Sequence, residues 1–290
     1  MINQYKRSDV FRCNQDAHKR FEGRVSVYHV MKEKKCHPDG CLYFLWHCAL
    51  MEKGRRCIRG FNFIGRECKG CSYFMDEKIH LQPTVVLDPA SFDQFLEDLD
   101  TFESWLEEVS FKRMNVAGKI DNVKPWFEQL IVSGRPHYRL RGYLLVIKDG
   151  FIGLNAFHDT FYIRVSEARM KSHQFRPGMK LELNGELRED RGRIVIHFPK
   201  QIEIQNKGSG EVWTREKALV AVRTATLLKE QPDQCLECQW GALTDVMENS
   251  EKGSERFRYL YCLKGISHFE GCYIHVTQKI KKSVKEDNKV

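Results

Sequence analysis

The hydrophobic pattern changes period several times along the chain. Residues 21–31 (Phe-Glu-Gly-Arg-Val-Ser-Val-Tyr-His-Val-Met) alternate and predict a strand. From Asp88-Pro89 the period lengthens. Phe92, Phe95, Leu96, Leu99, Phe102, Leu106 and Val109 recur three and four apart, which is one face of an amphipathic helix. Asp88 suits its N-cap and Pro89 its first position. Beyond residue 113 alternation returns and predicts strands at residues 116–123, 139–148, 160–165, 179–187 and 193–204. A short helix is expected at residues 166–173. Glu189-Asp190-Arg191-Gly192 is a hairpin signal between the last two strands. Residues 214–230 return to helical spacing through Ala218, Val222, Ala225 and Leu228, and residues 241–247 and 257–261 predict two more strands.

Five strands with a helix between the third and fourth resemble the oligonucleotide/oligosaccharide-binding (OB) barrel. The stretch from Phe175 through Pro177-Gly178 to Leu187 is similar to that fold's fourth strand, entered by a Pro-Gly turn and bent at Gly185. The resemblance covers residues 113–206. It implies a ligand face that includes the second and third strands, where aromatic rings stack on bases and Lys or Arg follow phosphates. Arg141, Tyr143, Tyr162 and Arg164 are the contact candidates. In the third strand Phe161 and Ile163 share one face, and Tyr162 and Arg164 share the other. OB barrels host many functions, so the fold alone does not settle this one.

The 11 cysteines are confined to the two ends of the chain. Cys13, Cys36, Cys41, Cys48, Cys57, Cys68 and Cys71 form one group, and Cys235, Cys238, Cys262 and Cys272 the other. Each group contains one C-x2-C pair, a spacing that lets two thiolates hold one ion from a tight turn. The second group matches one four-thiolate site, for zinc or for a 4Fe-4S cluster. In the first, Cys48, Cys57, Cys68 and Cys71 make one set. Cys13, Cys36 and Cys41 with a histidine would make a second, so one N-terminal site or two remain open. One metal with three free thiols packed as small apolar side chains is the plain alternative. Lys53, Arg55, Arg56, Arg59, Arg66 and Lys69 surround the first group and would bind phosphate or offset thiolate charge.

Charge divides the chain as well. The net charge of +8 resolves into basic stretches over residues 1–87 and 111–206 and an acidic one over residues 88–110, which hold no Lys or Arg. Basic domains favour polyanionic partners, though a solvated surface accounts for so modest an excess equally well. No run of 18 apolar residues and no apolar leader are visible, so a cytoplasmic, non-membrane protein is expected, in which metal ligation outranks disulfides. No phosphate-binding loop, dinucleotide fingerprint, nucleophile elbow or zinc-protease motif is present, so no catalytic residues are expected and the protein is not read as an enzyme.

The sequence therefore predicts an α+β protein. A central five-stranded OB-like β-barrel (residues 113–206) would be flanked by two cysteine-rich metal-binding modules. These are residues 1–87, and residues 207–290 with a helix, four cysteines and a basic, frayed tail. An acidic amphipathic helix would span residues 88–112. The expected function is binding of single-stranded or structured DNA or RNA, with one zinc or 4Fe-4S centre per module. The alternatives are an iron–sulfur protein in electron transfer or redox sensing, and a non-catalytic subunit of a larger complex.

Overall fold

The computed structural model describes residues 1–19, 21–132, 135–250 and 253–274. The lysine-rich tail at residues 279–290 lies outside them. The chain forms two compact units: residues 6–94, and residues 1–5 together with those from Phe95 onward.

In chain order the smaller unit holds β1 (Phe11–Arg12), α1 (Asp16–Lys19), β2 (Arg24–Val25), a π-helical turn (Tyr28–Glu33), β3 (Cys41–Cys48), a 3-10 turn (Arg66–Cys68), β4 (Phe74–Leu81) and β5 (Thr84–Val85). β1 pairs antiparallel with β2 and with β5, and β3 pairs with β4 over eight residues. The strand expected at residues 21–31 survives only as Arg24–Val25. Beyond it Ser26 accepts the N–H of His29 on its hydroxyl and that of Val30 on its carbonyl. A serine that caps a turn in this way diverts the backbone from the ladder.

The larger unit continues with α2 (Pro89–Val109), whose first turn counts with the smaller unit, then β6 (Arg113–Val132), β7 (Arg135–Ile152), β8 (Asn155–Phe157), β9 (Phe161–Val165), α3 (Glu167–His173), β10 (Lys180–Asp190) and β11 (Arg193–Ile204). After these come α4 (Arg215–Arg223), β12 (Thr226–Leu228), α5 (Asp233–Glu237), β13 (Gly241–Ser250) and β14 (Gly253–Cys262). All nine strands belong to one sheet, in the order β12-β14-β13-β6-β10-β11-β9-β7-β8, and β6 pairs with β7 as well. The β6–β13 and β9–β11 pairings are parallel and the others antiparallel.

This overturns the expected α+β class, with its five-stranded barrel set between two metal-binding modules. The chain is mostly β, the sheet is mixed and nine-stranded, and the C-terminal cysteine hairpin is built into it. The cause is the length of β6. Expected to end at residue 123, it runs to Val132. One of its edges pairs with β7; the other pairs with β10 over residues 113–119 and then with β13 from Glu128 to Ile131. An unpaired strand edge is a template for a further strand, and β13 takes it. Among the described residues, moreover, no group of three or more His, Cys, Asp or Glu is arranged to hold a metal ion.

The core lies under this sheet. Phe127, Phe157, Phe161, Leu145, Ile147, Ile152, Leu187 and Ile196 are fully buried. α2 adds its apolar face: the Trp105 ring stacks on Phe157 at 5.7 Å, and Phe157 meets Phe161 edge-on at 5.8 Å. Each such side chain contributes about 1.5–3 kcal/mol by leaving water. The chain's start is tied to the same unit, because the Met1 amino group donates to the Ala156 carbonyl and Asn3 Nδ2 to that of Gly192. Local signals behave as their chemistry requires. Ser166 caps α3 by accepting the Arg169 N–H, and Arg191-Gly192, both at positive φ, join β10 to β11 in a two-residue turn. At Gly185 the β10–β11 register shifts, and a Cβ there would come within 2.2 Å of Ile196. The helix expected through residue 230 stops at Arg223. Thr224 turns its hydroxyl back onto the Val220 and Ala221 carbonyls, and residues 226–228 pair with β14 instead.

Candidate functional site

The outward face of β6, β7, β9, β10 and β11 gathers arginines and aromatic rings. It follows from strand alternation: Phe161, Ile163 and Val165 of β9 point into the core, so Tyr162 and Arg164 point outward and are half-buried. The Arg164 guanidinium lies 3.8 Å over the Trp126 ring of β6, and Arg141 of β7 approaches the same ring at 5.9 Å. Arg193 of β11 sits 5.3 Å over Tyr162. Arg188 of β10 lies between two exposed rings, Phe111 at 5.5 Å and Phe198 at 5.3 Å. Stacking of this kind orients a guanidinium while leaving its N–H edge free to donate.

The arginines differ in what neutralises them. Arg141 is paired with Glu128 at 3.2 Å and Arg188 with Glu186 at 2.6 Å. Asp190 holds Arg193 at 2.6 Å and Arg258 at 2.8 Å, and Asp245 holds Arg258 from its other side at 2.8 Å. Burial pushes the Asp190 carboxyl up, but the two guanidiniums outweigh it and bring it down to about 2. Arg164 forms no ion pair among the described residues; burial and the neighbouring Arg141 both disfavour its charge. His197, opposite Glu186 on β11, is driven down to about 4 by burial and by Arg164 and Arg188. It is neutral at neutral pH, so it adds hydrogen-bonding capacity and no charge.

Of the four expected contact residues, three reach this face: Arg141, Tyr162 and Arg164. Tyr143 does not. It is 1 % exposed, and burial raises its hydroxyl to about 12. α3 and α4 pack on β7, so this strand is covered on both sides from Gly142 to Ile147 and loses its alternation. Trp126 and Phe198 were missed. Trp126 lies beyond residue 123, where the expected first strand ends, and Phe198 follows a run of core residues that masks it.

A second site lies at the base of β13. Cys235 ends the first turn of α5, Cys238 follows that helix, Cys262 closes β14, and Cys272 lies in the loop beyond. None of the four forms a disulfide. Cys238, Cys262 and Cys272 lie near enough to Cys235 to act on its thiol, but the four are not arranged to hold a metal ion. Burial raises the Cys235 thiol to about 11, and Cys238, Cys262 and Cys272 each push it further in that direction. Burial likewise raises Cys238, with Cys262 and Cys272 adding to it. Beneath them Lys124 of β6 is buried and lowered to about 8, chiefly by that burial.

In the smaller unit, Cys13, Cys36 and Cys41 come together. Cys36 is raised by burial, then by Cys41 and Cys13. Cys48 ends β3 in register with Phe74, whose N–H donates to the Cys71 carbonyl, so the Cys68–Cys71 turn shares that end of the hairpin. Cys57 accepts the Arg59 N–H at 3.4 Å; this contact, followed by the Phe61 N–H, lowers its thiol. No helix among the described residues is long and apolar enough to cross a membrane.

Comparison with family models, with curated proteins and with solved structures matched nothing to this chain.

Proposed function

We propose that this chain binds single-stranded nucleic acid along the outward face of β6, β7, β9, β10 and β11, as a binding protein and not as an enzyme. The observation that carries the reading is Arg164, a half-buried guanidinium stacked 3.8 Å over Trp126 with no ion pair among the described residues. A cation held on an indole and left without a carboxylate suits a phosphate. The exposed rings of Phe111 and Phe198 suit the faces of unstacked bases. Arg141 and Arg188 exchange their glutamates for phosphate when a strand arrives, and the Asp190 network holds the rim of the face in shape.

The test is fluorescence anisotropy of labelled single-stranded DNA and RNA over a salt series. Affinity should fall linearly on logarithmic axes as phosphate contacts release counterions. Arg164→Ala should reduce that slope by about one contact. Trp126→Ala should cost about 1–3 kcal/mol, with Trp126→Phe recovering part of it and circular dichroism confirming the fold. Binding that ignores salt, or no binding at low ionic strength, rejects the proposal.

A further inference from the structure

α4 is apolar on more than one side. Ala218 and Val222, four apart, are buried, whereas Val220 is 63 % exposed. Lys217, Val220, Ala221 and Thr224 recur at spacings of three and four on the adjoining face. That face is one wall of a cleft of about 710 Å³, and Trp213, Trp240 and Leu263 line it as well. Every residue of the cleft belongs to the larger unit. The two indoles meet edge-on with ring centres 5.4 Å apart. Both are anchored: Trp213 Nε1 donates to the Val123 carbonyl at 2.9 Å, and the Trp240 carbonyl accepts the Leu263 N–H at 2.8 Å. The segment before Trp213 is tied down too. Asn206 Nδ2 donates to the Gly178 carbonyl at 3.0 Å, and the Ser209 N–H to that of Pro177 at 2.9 Å. A mostly apolar cleft of this size, with walls held in advance and few polar groups, is the usual form of a small-molecule site.

The charges at the cleft leave one cation over. Lys217 is paired with Glu211 at 3.1 Å. Glu216 is held ionised by its own backbone N–H and by the Thr214 hydroxyl, which lower its carboxyl. Lys264 forms no ion pair among the described residues; its ammonium lies 4.0 Å over the Trp240 ring. A cation oriented on an indole keeps its other N–H groups free to donate. One such cation matches a single negative charge, and the two glutamates at the same cleft oppose a second.

The geometry points to a binding site for a small planar aromatic monoanion. Its ring system packs on the tryptophans and against Val220 and Ala221, and its acid group meets Lys264. The site shares no residue with the arginine face of β6, β7, β9, β10 and β11, so it stands whether or not that face binds nucleic acid.

The experiment titrates the full chain with anilinonaphthalene sulfonate, a fluorescent aromatic monoanion, and with N-phenylnaphthylamine, which has the same rings and no charge. The sulfonate should bind saturably, one per chain, and naphthoate should displace it. Naphthyl phosphate, at a pH where it carries two charges, should displace it less well. Lys264→Met should weaken the sulfonate about 3–10-fold and leave the neutral probe unchanged. Trp240→Leu should weaken both about tenfold, with the circular-dichroism spectrum retained. If Trp240→Leu fails to fold, Val220→Trp decides: its added ring enters the open cleft and should abolish binding of both probes. Probe binding that survives Val220→Trp or a folded Trp240→Leu overturns the site. Equal losses of the two probes in Lys264→Met overturn the lysine's part, and equal displacement by the phosphate overturns the preference for a single charge.

Discussion

The two cysteine-bearing regions share the C-x2-C pair and little else. The C-terminal one is a hairpin spliced onto β6, with Cys235, Cys262 and Cys272 buried and a lysine from the sheet beneath. The N-terminal one hangs its cysteines on short turns and a two-stranded hairpin that leaves Leu42, Phe44, Met75, Ile58 and Phe63 exposed. An isolated two-stranded hairpin is marginal in water. The same motif can therefore sit on a surface that is already folded, or in a segment that needs cross-links to stay folded.

The sharpest way to break this comparison is to remove one large ring from each of the two units that carry these regions. Phe161→Ala should cost about 3–5 kcal/mol in denaturant unfolding, because it empties the core between β9 and α2. Phe44→Ala should change stability by less than about 0.5 kcal/mol, since that ring is 55 % exposed. Equal losses would mean that the smaller unit is packed as firmly as the larger. Next in size, Gly241→Ala should destabilise by about 1–3 kcal/mol in denaturant unfolding, because the added methyl meets backbone and not a side chain that can turn away. An unchanged denaturant midpoint would show that the turn is looser than its contacts indicate.

The smallest effect is with pH. His197 has its folded value near 4, below the ordinary 6.5, so the unfolded chain takes up its proton first. Stability should therefore fall as pH drops from about 6.5 to 4. Asp190, near 2 against an ordinary 3.8, contributes stability above 3.8 that is lost as pH falls toward 2. Denaturant midpoints measured across pH should show both windows, and His197→Gln should flatten the first alone. A first window that persists in that variant belongs to another group.

What the sequence made legible was local. Ser166, Arg191-Gly192 and the alternation of β9 each act over a few residues, and each is found where its chemistry points. What it concealed depended on distant partners. The continuation of β6 past residue 123 was concealed, because it persists through edges occupied by β7, β10 and β13. Tyr143 looked like a surface aromatic because nothing near it in sequence announces that α3 and, from residue 215 onward, α4 pack on its strand. Lys124, which donates to the Leu236 and Gly241 carbonyls beside the C-terminal cysteines, lies 111 positions before Cys235, and nothing near it in sequence announces that contact.

The ends of two of the three sheets carry one more consequence. At its margins the nine-stranded sheet stops in β8 and β12, three residues each, too short to register a foreign strand. Among the described residues β3 and β4 pair only with each other, leaving two eight-residue margins of open backbone beside Leu42, Phe44 and Met75. When this protein is concentrated or heated, growth by strand addition will start at that small hairpin, and a charged residue in place of Phe44 will slow it.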